Sequence, residues 1–557
     1  MDDLPYVLFA LARVGLRPRG GNDTVCGTLE KTDYVGKLGK LFMRIFAGIS
    51  FALMALFALP VAAQDKGDRV ARVAGSALYW HLENGRGRQA FEAMPKGGDI
   101  HTHLRGAIYA ETWLEWAAED GLCADMAVPA LRFKDAETCE ASGWITAAEA
   151  QSFEPYRLDL INALSTRSYV PTNGWSGHNQ FFGTFAKISA EPERLGDQLA
   201  AVANRAGRQN ILYLELMETI VLPQLFPLVA GVELSGDPAA DYQTIMASPF
   251  GAEIQELAVY IQQQLADAKS KKNALMNCGT ANAEPGCDVE IRFLHQVVRE
   301  FDPAVVYAQI ILGWAVMETT PDVVGLNLVA PEDGFIALRD YTQHMRMIDH
   351  LYTNRSEQNI TLHAGELTIG LVRPKQLRFH MREAIEIGHA TRIGHGVAIG
   401  YEDNHEQLIQ KMVDEDVLVE INLTSNDTIL GVSGEEHPIQ LYRDMEVPYT
   451  ISTDDEGVSR IDLTHEYLRL ARTYRVPYFE LKHVSRNSLT YSFLDGGSIW
   501  DMPACVADLE AVRSPSDDCA SLLDGSDKAR LQWKLEGKFR EFEANLKVPE
   551  RKRTSFN

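Results

Sequence analysis

Eight short apolar segments, mostly separated by stretches long enough for a helix, constrain the fold more than any other feature of this sequence. Strands that alternate with helices are typical of a parallel sheet, and eight such units predict a (β/α)8 TIM barrel of the α/β class. Catalytic groups in such barrels lie at the carboxyl ends of the strands. The predicted strands are 99–104, 211–216, 289–294, 323–329, 360–365, 392–396, 417–423 and 448–453.

Two of the connections are too long for a single crossover helix. Residues 105–210 follow the first predicted strand and residues 217–288 follow the second. Connections inside compact domains are usually short, so we expect extra helices and loop insertions after these two strands.

Titratable side chains stand at the ends of four predicted strands. His101 and His103 are two residues apart in the first strand and therefore share one face, which suits a metal ion. An incidental surface pair is the alternative as long as no further ligands are found. Further ligands are available at the other strand ends: His363 and Glu366 in LHAGE, His395 in RIGHG, and Asp454 and Asp455 in STDDEG.

The charge balance argues against a nucleic-acid-binding protein. Lys and Arg number 53 and Asp and Glu number 77 among 557 residues, a formal net charge of −24. Contacts to a phosphate backbone require clustered cations. We therefore expect a small-molecule substrate or a protein partner, and no nucleic acid.

The apolar stretch at 43–63 has the character of a secretory signal peptide. Arg44 precedes its core, Pro60 interrupts it, and it ends in small residues at Ala63, where we predict cleavage. An uncleaved anchor is the alternative. Met43 is either the true start or is preceded by a long n-region at 1–42, which is mixed in composition. We expect a periplasmic or secreted protein with no stable membrane anchor after cleavage.

Six of the seven cysteines follow the predicted cleavage point and fall into three couples of near neighbours. Each couple lies in a polar stretch with no histidine at metal-ligand spacing, and exported proteins fold where disulfides form. We predict three local disulfides, Cys123 with Cys139, Cys278 with Cys287, and Cys505 with Cys519.

The motifs, taken in order, resemble the adenosine deaminases of the amidohydrolase superfamily, including their secreted, growth-factor-related branch. The resemblance covers roughly residues 90–500. It is carried by MPKGGDIHTHLRGA (94–107), HNQFFGTF (178–185), YLEL (213–216), LHAGE (362–366), RIGHG (392–396), EINLTSN (420–426) and STDDEGVSR (452–460).

The resemblance implies a zinc-dependent hydrolase that acts on a purine nucleoside. One Zn²⁺ per chain would be held by His101, His103, His363 and Asp454, with a position left open for water. Imidazole nitrogens and a carboxylate oxygen are ligands that zinc accepts in catalytic sites.

The resemblance also implies roles for the remaining acids and for one histidine. His395 and Asp454 would orient the water and help take its proton, Glu366 would protonate N1 of the purine, and Asp455 would hydrogen-bond N7. The expected reaction converts adenosine, and deoxyadenosine, to the 6-oxo purine with release of ammonia.

Three positions depart from the family pattern. Arg105 stands where many members carry an acid that contacts the ribose, so it either pairs with a carboxylate nearby, donates to a sugar oxygen or meets a 5′-phosphate. Ala330 aligns with a glycine whose amide contacts purine N3. Asn422 and Leu423 replace a Cys-Pro pair.

Two other functions are compatible with parts of the pattern. Arg105 keeps open a deaminase of another 6-aminopurine, such as adenine or a 5′-modified adenosine. A catalytically silent secreted binding or signalling protein would lack a metal ligand or Glu366, and all of these residues are present.

We expect an extension at 1–42, the signal peptide at 43–63, a helical segment at 64–95, the deaminase barrel at 96–500 and a C-terminal loop and helix at 501–557.

Overall fold

Eight parallel strands, here named β1 to β8, form the centre of the structure, a computed structural model that describes residues 69–134 and 136–548. The predicted extension and signal peptide, with Cys26, lie outside the described residues. Each strand coincides with one of the eight apolar segments, so the predicted strands are confirmed. Their bounds are Gly97–His103, Ile211–Glu218, Glu290–Val298, Val323–Val329, Thr361–Ala364, Arg392–His395, Leu418–Ile421 and Tyr449–Ile451.

The strands close into a barrel in chain order. β1 to β4 form one parallel sheet and β5 to β8 form a second. Parallel bridges join the two sheets at Thr102 with Asp454 and at Leu326 with Ile360. At the first seam, the amide of His103 donates to the carbonyl of Asp454 at 2.9 Å. The predicted (β/α)8 barrel is therefore confirmed, and its closing seam lies at predicted site residues.

Helices surround the strands because each crossover must bury one apolar face against the sheet. The helix Pro303–Thr319 is buried on all sides between Ala304 and Val316, as its uniformly apolar sequence requires. Residues 69–83 are helical. The other α-helices are Gly87–Ala93, Ala110–Glu119, Ala147–Ser152, Glu154–Ala163, Gly177–Phe182, Leu195–Arg208, Leu222–Leu228, Pro238–Ala247, Pro249–Leu275, Phe335–Asn354, His380–Glu386, His405–Asp414, Leu423–Leu430, Ile439–Asp444, Glu456–Ser459, Leu463–Thr473, Tyr478–Thr490, Pro503–Glu510, Asp517–Gly525 and Asp527–Asn545.

Both long connections contain the expected insertions. The first carries several helices and a small antiparallel sheet formed by Cys123–Asp125, Ala130–Arg132 and Ile145–Thr146. The second carries the 27-residue helix Pro249–Leu275. Disulfides join Cys123 to Cys139 in the first and Cys278 to Cys287 in the second, and a third disulfide joins Cys505 to Cys519. All three predicted pairs are present.

Across residues 69–134 and 136–548, none of the helices is both long enough and apolar enough to span a membrane. The predicted boundaries of the five regions stay predictions.

Candidate active site

Four side chains that the sequence places far apart meet at the carboxyl ends of the strands. His101 and His103 end β1, His363 lies in β5, and Asp454 follows β8. One ligand atom from each of the four lies within 4.8 Å of the others. Asp454 Oδ1 is 3.2 Å from His103 Nε2 and 3.6 Å from His101 Nε2. His101 and His103, at the end of β1, are therefore part of a larger cluster and are not an incidental surface pair.

The electrostatics of this cluster favour a bound cation. Burial lowers the pKa of His103, but the carboxylates of Asp455 and Asp454 outweigh burial and raise it to about 10. The fully buried Nε2 of His101 has no hydrogen-bond partner among the described residues. The Asp454 carboxylate attracts positive charge, and His101 Nε2 lacks a hydrogen-bond partner. Both features fit a site for a divalent metal ion.

Each histidine is oriented by a hydrogen bond on its other ring nitrogen. His101 Nδ1 lies 2.6 Å from Glu420 Oε2, and His103 Nδ1 lies 2.8 Å from Gln296 Oε1. His363 Nδ1 lies 2.8 Å from Asn327 Oδ1. Each Nε2 therefore faces the centre of the cluster, the arrangement that protein metal sites use to fix the tautomer of a ligating histidine.

Glu420 belongs to a buried charge network inside the barrel, below the cluster. Arg392 Nε lies 2.6 Å from Glu420 Oε1, and Arg392 Nη2 lies 2.7 Å from Glu215 Oε2. Phe493 covers the guanidinium of Arg392 with its ring centre 3.7 Å away. Both charges of Glu420 and Arg392 are thus paired where they have no access to water, as buried charges must be.

His395 lies beside the cluster without belonging to the four ligands. Its Nε2 is 4.0 Å from Asp454 Oδ2, and its Nδ1 is 2.9 Å from Asn426 Nδ2. Ser425 Oγ donates to Asp454 Oδ2 at 2.6 Å. Positive φ values of 68° at His395 and 59° at Asp454 place both residues in the left-handed region. Strain of this kind persists where the surroundings fix a functional geometry.

Glu366 is held in place through its backbone. The amides of Gly365 and Glu366 donate to the two carboxylate oxygens of Glu332 at 3.1 and 2.7 Å. Burial, reinforced by the nearby carboxylates of Asp454 and Glu332, raises the pKa of Glu366 well above its usual value. A raised pKa favours the protonated form of Glu366, the form that can donate to a bound molecule.

Asp455 is a second buried carboxyl group with a raised pKa. Burial, together with the charge of Asp454, raises the pKa of Asp455 to about 8 against the opposing effect of His103. Its Oδ1 has no hydrogen-bond partner among the described residues. A Cβ atom on Gly106 would lie 1.5 Å from this oxygen, so only glycine at 106 allows Asp455 its position.

Ala330 lies at the end of β4 with a φ of 81°, a conformation that favours glycine. Its carbonyl accepts hydrogen bonds from Nε and Nη2 of the buried Arg299 at 3.1 and 3.0 Å. The two hydrogen bonds from Arg299 stabilise this strained conformation of Ala330.

A cavity of about 500 Å³ adjoins the cluster on the side of β1 and β2, and Arg105 lines it together with His103 and Glu218. Arg105 Nη2 donates to the carbonyl of Ile188 at 2.7 Å. Within residues 69–134 and 136–548, Arg105 forms no ion pair with a carboxylate. Arg105 faces the cavity, where its charge acts on the carboxyl group of Glu218, and its three predicted environments stay predictions.

Sequence reasoning missed the residues that orient the ligands. A charged residue inside the apolar segment VLVEINL was a readable signal for Glu420, since such a residue is buried only when it is paired. No local pattern distinguished the amides Gln296 and Asn327, or Arg299, because their roles depend on groups that are distant in the sequence.

Comparisons with known proteins agree with this geometry. A family model described as "Adenosine deaminase" matches residues 257–499. A protein described as adenosine deaminase from Clostridium perfringens (strain SM101 / Type A) is 32% identical over 402 residues, which is 71% of this chain and 93% of that protein. One from Enterococcus faecalis (strain ATCC 700802 / V583) is 35% identical over 136 residues, 24% of this chain and 37% of that protein. A solved structure of "the ADAL-IMP complex" has 18% identity, covers 82% of this chain and 99% of its own, and shares the fold with a TM-score of 0.50.

Proposed function

Because the chain belongs to the adenosine deaminase family, we propose that it hydrolyses adenosine, and deoxyadenosine, to the 6-oxo nucleoside and ammonia at the site described above. Water adds to C6 of the purine, and the bond from C6 to the amino nitrogen breaks. The observation that carries the proposal is the convergence of four side chains that could hold a metal ion with two buried carboxyl groups of raised pKa, Glu366 and Asp455, at one end of the barrel.

We propose that the resident metal is a single Zn²⁺, held by His101, His103, His363 and Asp454. Three imidazoles, which lose any extra proton when they bind a metal, one carboxylate and an open position form a donor set typical of zinc. The chemistry that zinc supplies when bound is to lower the pKa of water so that it becomes a nucleophile at neutral pH.

A second group of possible ligands, Glu366, His395 and Asp454, argues against a second metal. Its members approach one another within 4.8 Å. However, the raised pKa of Glu366 favours its uncharged form, and Asn426 Nδ2 lies 2.9 Å from His395 Nδ1. A second cation would therefore gain no new charged ligand here, and we propose one metal ion per chain.

The carboxyl groups would recognise and activate the purine ring. A protonated Glu366 donates to N1, which weakens the aromatic ring and prepares C6 for attack. A protonated Asp455 donates to N7, which has only a lone pair to offer. We further propose that the Ala330 amide contacts N3. These contacts select a 6-aminopurine and leave C6 facing the gap between His395 and Asp454.

His395 and Asp454 would orient the attacking water. Two polar atoms 4.0 Å apart, His395 Nε2 and Asp454 Oδ2, are too distant for a direct hydrogen bond. An oxygen atom placed between them lies within hydrogen-bond reach of both. We propose that this gap holds the water and that Asp454 helps to remove its proton.

The cavity beside the cluster favours a nucleoside over a nucleotide. Among its described lining residues, one guanidinium, Arg105, accompanies two carboxyl groups, Glu191 and Glu218. Burial raises the pKa of Glu218 to about 7, so the repulsion of a phosphate dianion comes mainly from Glu191, while both carboxyl groups offer acceptors to sugar hydroxyls. Because Arg105 does face the cavity, a deaminase of a 5′-modified adenosine or of adenine is the second candidate.

Steady-state assays with adenosine, deoxyadenosine, adenine and AMP, followed by the absorbance change of the purine, test this proposal. We expect kcat/KM for adenosine to exceed that for AMP at least about tenfold. Chelation should abolish turnover, and one equivalent of zinc should restore it. A preference for AMP or adenine selects the second candidate. Two tightly bound metals per active chain, or full activity of metal-free protein, would contradict the metal assignment.

We also propose that the protein is exported, with residues 43–63 removed and Gln64 as the mature amino terminus. The three disulfides support an oxidising compartment. Amino-terminal sequencing of protein recovered from the periplasm or medium, with thiol titration after denaturation, checks the proposal. Six free thiols would contradict it.

A further inference from the structure

His437 lies outside the group of side chains considered so far, yet a chain of hydrogen bonds connects it to His395. It precedes the helix Ile439–Asp444 and is 2% exposed. Its Nε2 lies 3.0 Å from Asn426 Oδ1, and the Nδ2 of Asn426 lies 2.9 Å from His395 Nδ1. Asn426 and His395 are both fully buried. Water therefore does not compete for these contacts.

A backbone amide sets the donor and the acceptor of each hydrogen bond from His437 through Asn426 to His395. The amide of Ile439 donates to His437 Nδ1 at 3.1 Å, and a backbone N–H cannot act as an acceptor. Burial lowers the pKa of His437 to about 4, so the ring is neutral and carries its one proton on Nε2. That proton is donated to Asn426 Oδ1.

The orientation of Asn426 then follows. With its oxygen facing His437, its amide nitrogen faces His395 and donates to Nδ1. A neutral His395 that accepts on Nδ1 carries its proton on Nε2. The Nε2 proton faces the 4.0 Å gap toward Asp454 Oδ2.

Two other groups face His395, and neither reverses this direction. Asn422 Nδ2 lies 3.5 Å from Nε2, at the limit of a hydrogen bond, and Asn422 Oδ1 has no partner among the described residues. A half-turn of that amide lets its oxygen accept from Nε2. Glu366 Oε1 lies 3.7 Å from His395 Nδ1, beyond hydrogen-bond distance.

We propose that His437 is a positioning residue that locks His395, through Asn426, in the tautomer with its proton on Nε2. In this tautomer His395 donates to the oxygen in the gap and stabilises negative charge on it, so it does not act as the base. The kinetic consequence rests on the proposed deaminase function, whereas the tautomer is measured without substrate.

Nitrogen-15 NMR of protein with ring-labelled histidine tests the proposal directly, because protonated and unprotonated ring nitrogens have well separated shifts. The chain contains 15 histidines, and a His395→Gln variant identifies the signals of His395. We expect an unprotonated Nδ1 and a protonated Nε2 in the zinc-loaded wild type. The opposite pattern would overturn the proposal.

Three variants separate positioning from mere support of the fold. His437→Leu removes the donor, and His437→Gln restores an amide donor at the place of Nε2. Asn426→Asp keeps the shape of the side chain but presents an acceptor to His395 Nδ1, so it moves the proton of His395 onto Nδ1. This variant tests the proposal even if His437→Leu does not fold.

We expect His437→Leu and Asn426→Asp to lose about 10²-fold in kcat, the usual scale for one lost donor to a developing anion, with zinc content unchanged and KM within about threefold. His437→Gln should retain activity within about tenfold of wild type. Loss of activity in Asn426→Asp with Nε2 still protonated would overturn the proposal, as would equal losses in the leucine and glutamine variants. A wild type that deaminates none of the substrates refutes the proposed function and leaves the tautomer measurement valid.

Discussion

Replacing Glu420 with glutamine removes one charge from beneath the proposed metal site while it preserves the shape of the side chain. Glu420 is fully buried and is in contact with three groups: His101 Nδ1 at 2.6 Å, Arg392 Nε at 2.6 Å and Thr361 Oγ1 at 2.9 Å. Burial favours the neutral acid, but Arg392 and His101 outweigh burial and lower the pKa of Glu420. The group removed is therefore a carboxylate.

Two separate effects follow from these contacts. Removing one partner of a buried ion pair costs about 3–5 kcal/mol of folding free energy. Arg392 keeps Glu215 at 2.7 Å, so we expect the lower end, about 3 kcal/mol. Losing the carboxylate behind a ligating histidine weakens metal binding about 10- to 100-fold. At about 1.4 kcal/mol per factor of ten, this is about 1.4–2.8 kcal/mol.

Two measurements separate the effects. Denaturant unfolding of the metal-free protein gives the loss of folding free energy, and competition with a chromophoric chelator gives the zinc affinity. Thr361→Val is the matched control, since it removes one hydrogen bond to Glu420 and leaves the charge in place. We expect it to cost about 1 kcal/mol and to change the zinc affinity by less than about threefold, under 1 kcal/mol.

If Glu420→Gln binds zinc within about threefold of wild type, under 1 kcal/mol, the carboxylate does not support His101 as a ligand. If its stability also matches that of Thr361→Val, the electrostatic argument for the buried network is refuted as well.

Three further predictions concern the reacting groups and the cavity. Glu366→Gln should retain zinc and lose at least about 10²-fold in kcat, because the amide cannot give up a proton to N1; turnover near that of wild type would remove Glu366 from the mechanism. Gly106→Ala should retain zinc and lose activity, because its Cβ would lie 1.5 Å from Asp455 Oδ1; unchanged kcat/KM would show that the position of Asp455 is unimportant. Arg105→Asp should shift the ratio of kcat/KM for adenosine over AMP by more than about threefold in favour of adenosine, and a smaller shift would exclude Arg105 as a determinant of selectivity.

The barrel and the principal site residues were predictable from local sequence patterns. A strand that is buried on both faces must be apolar over four to eight residues, whatever its neighbours are, so the eight segments could be identified one at a time. Likewise the titratable residues lie at the ends of those segments or just after them, and a parallel barrel brings all its carboxyl ends to one face. The cysteine couples were readable for the same reason, since each is local in the chain.

Interactions between side chains of different strands were decided only by the tertiary structure. The sequence by itself determined the fold class, the order of the strands and the residues at their ends. It did not determine that Glu420 would orient His101 or that Asn426 would orient His395. It also did not determine that Arg105 would donate a hydrogen bond to the carbonyl of Ile188. A local pattern records which side chains are buried, whereas the partner of a buried polar group depends on the twist and register that bring distant segments together.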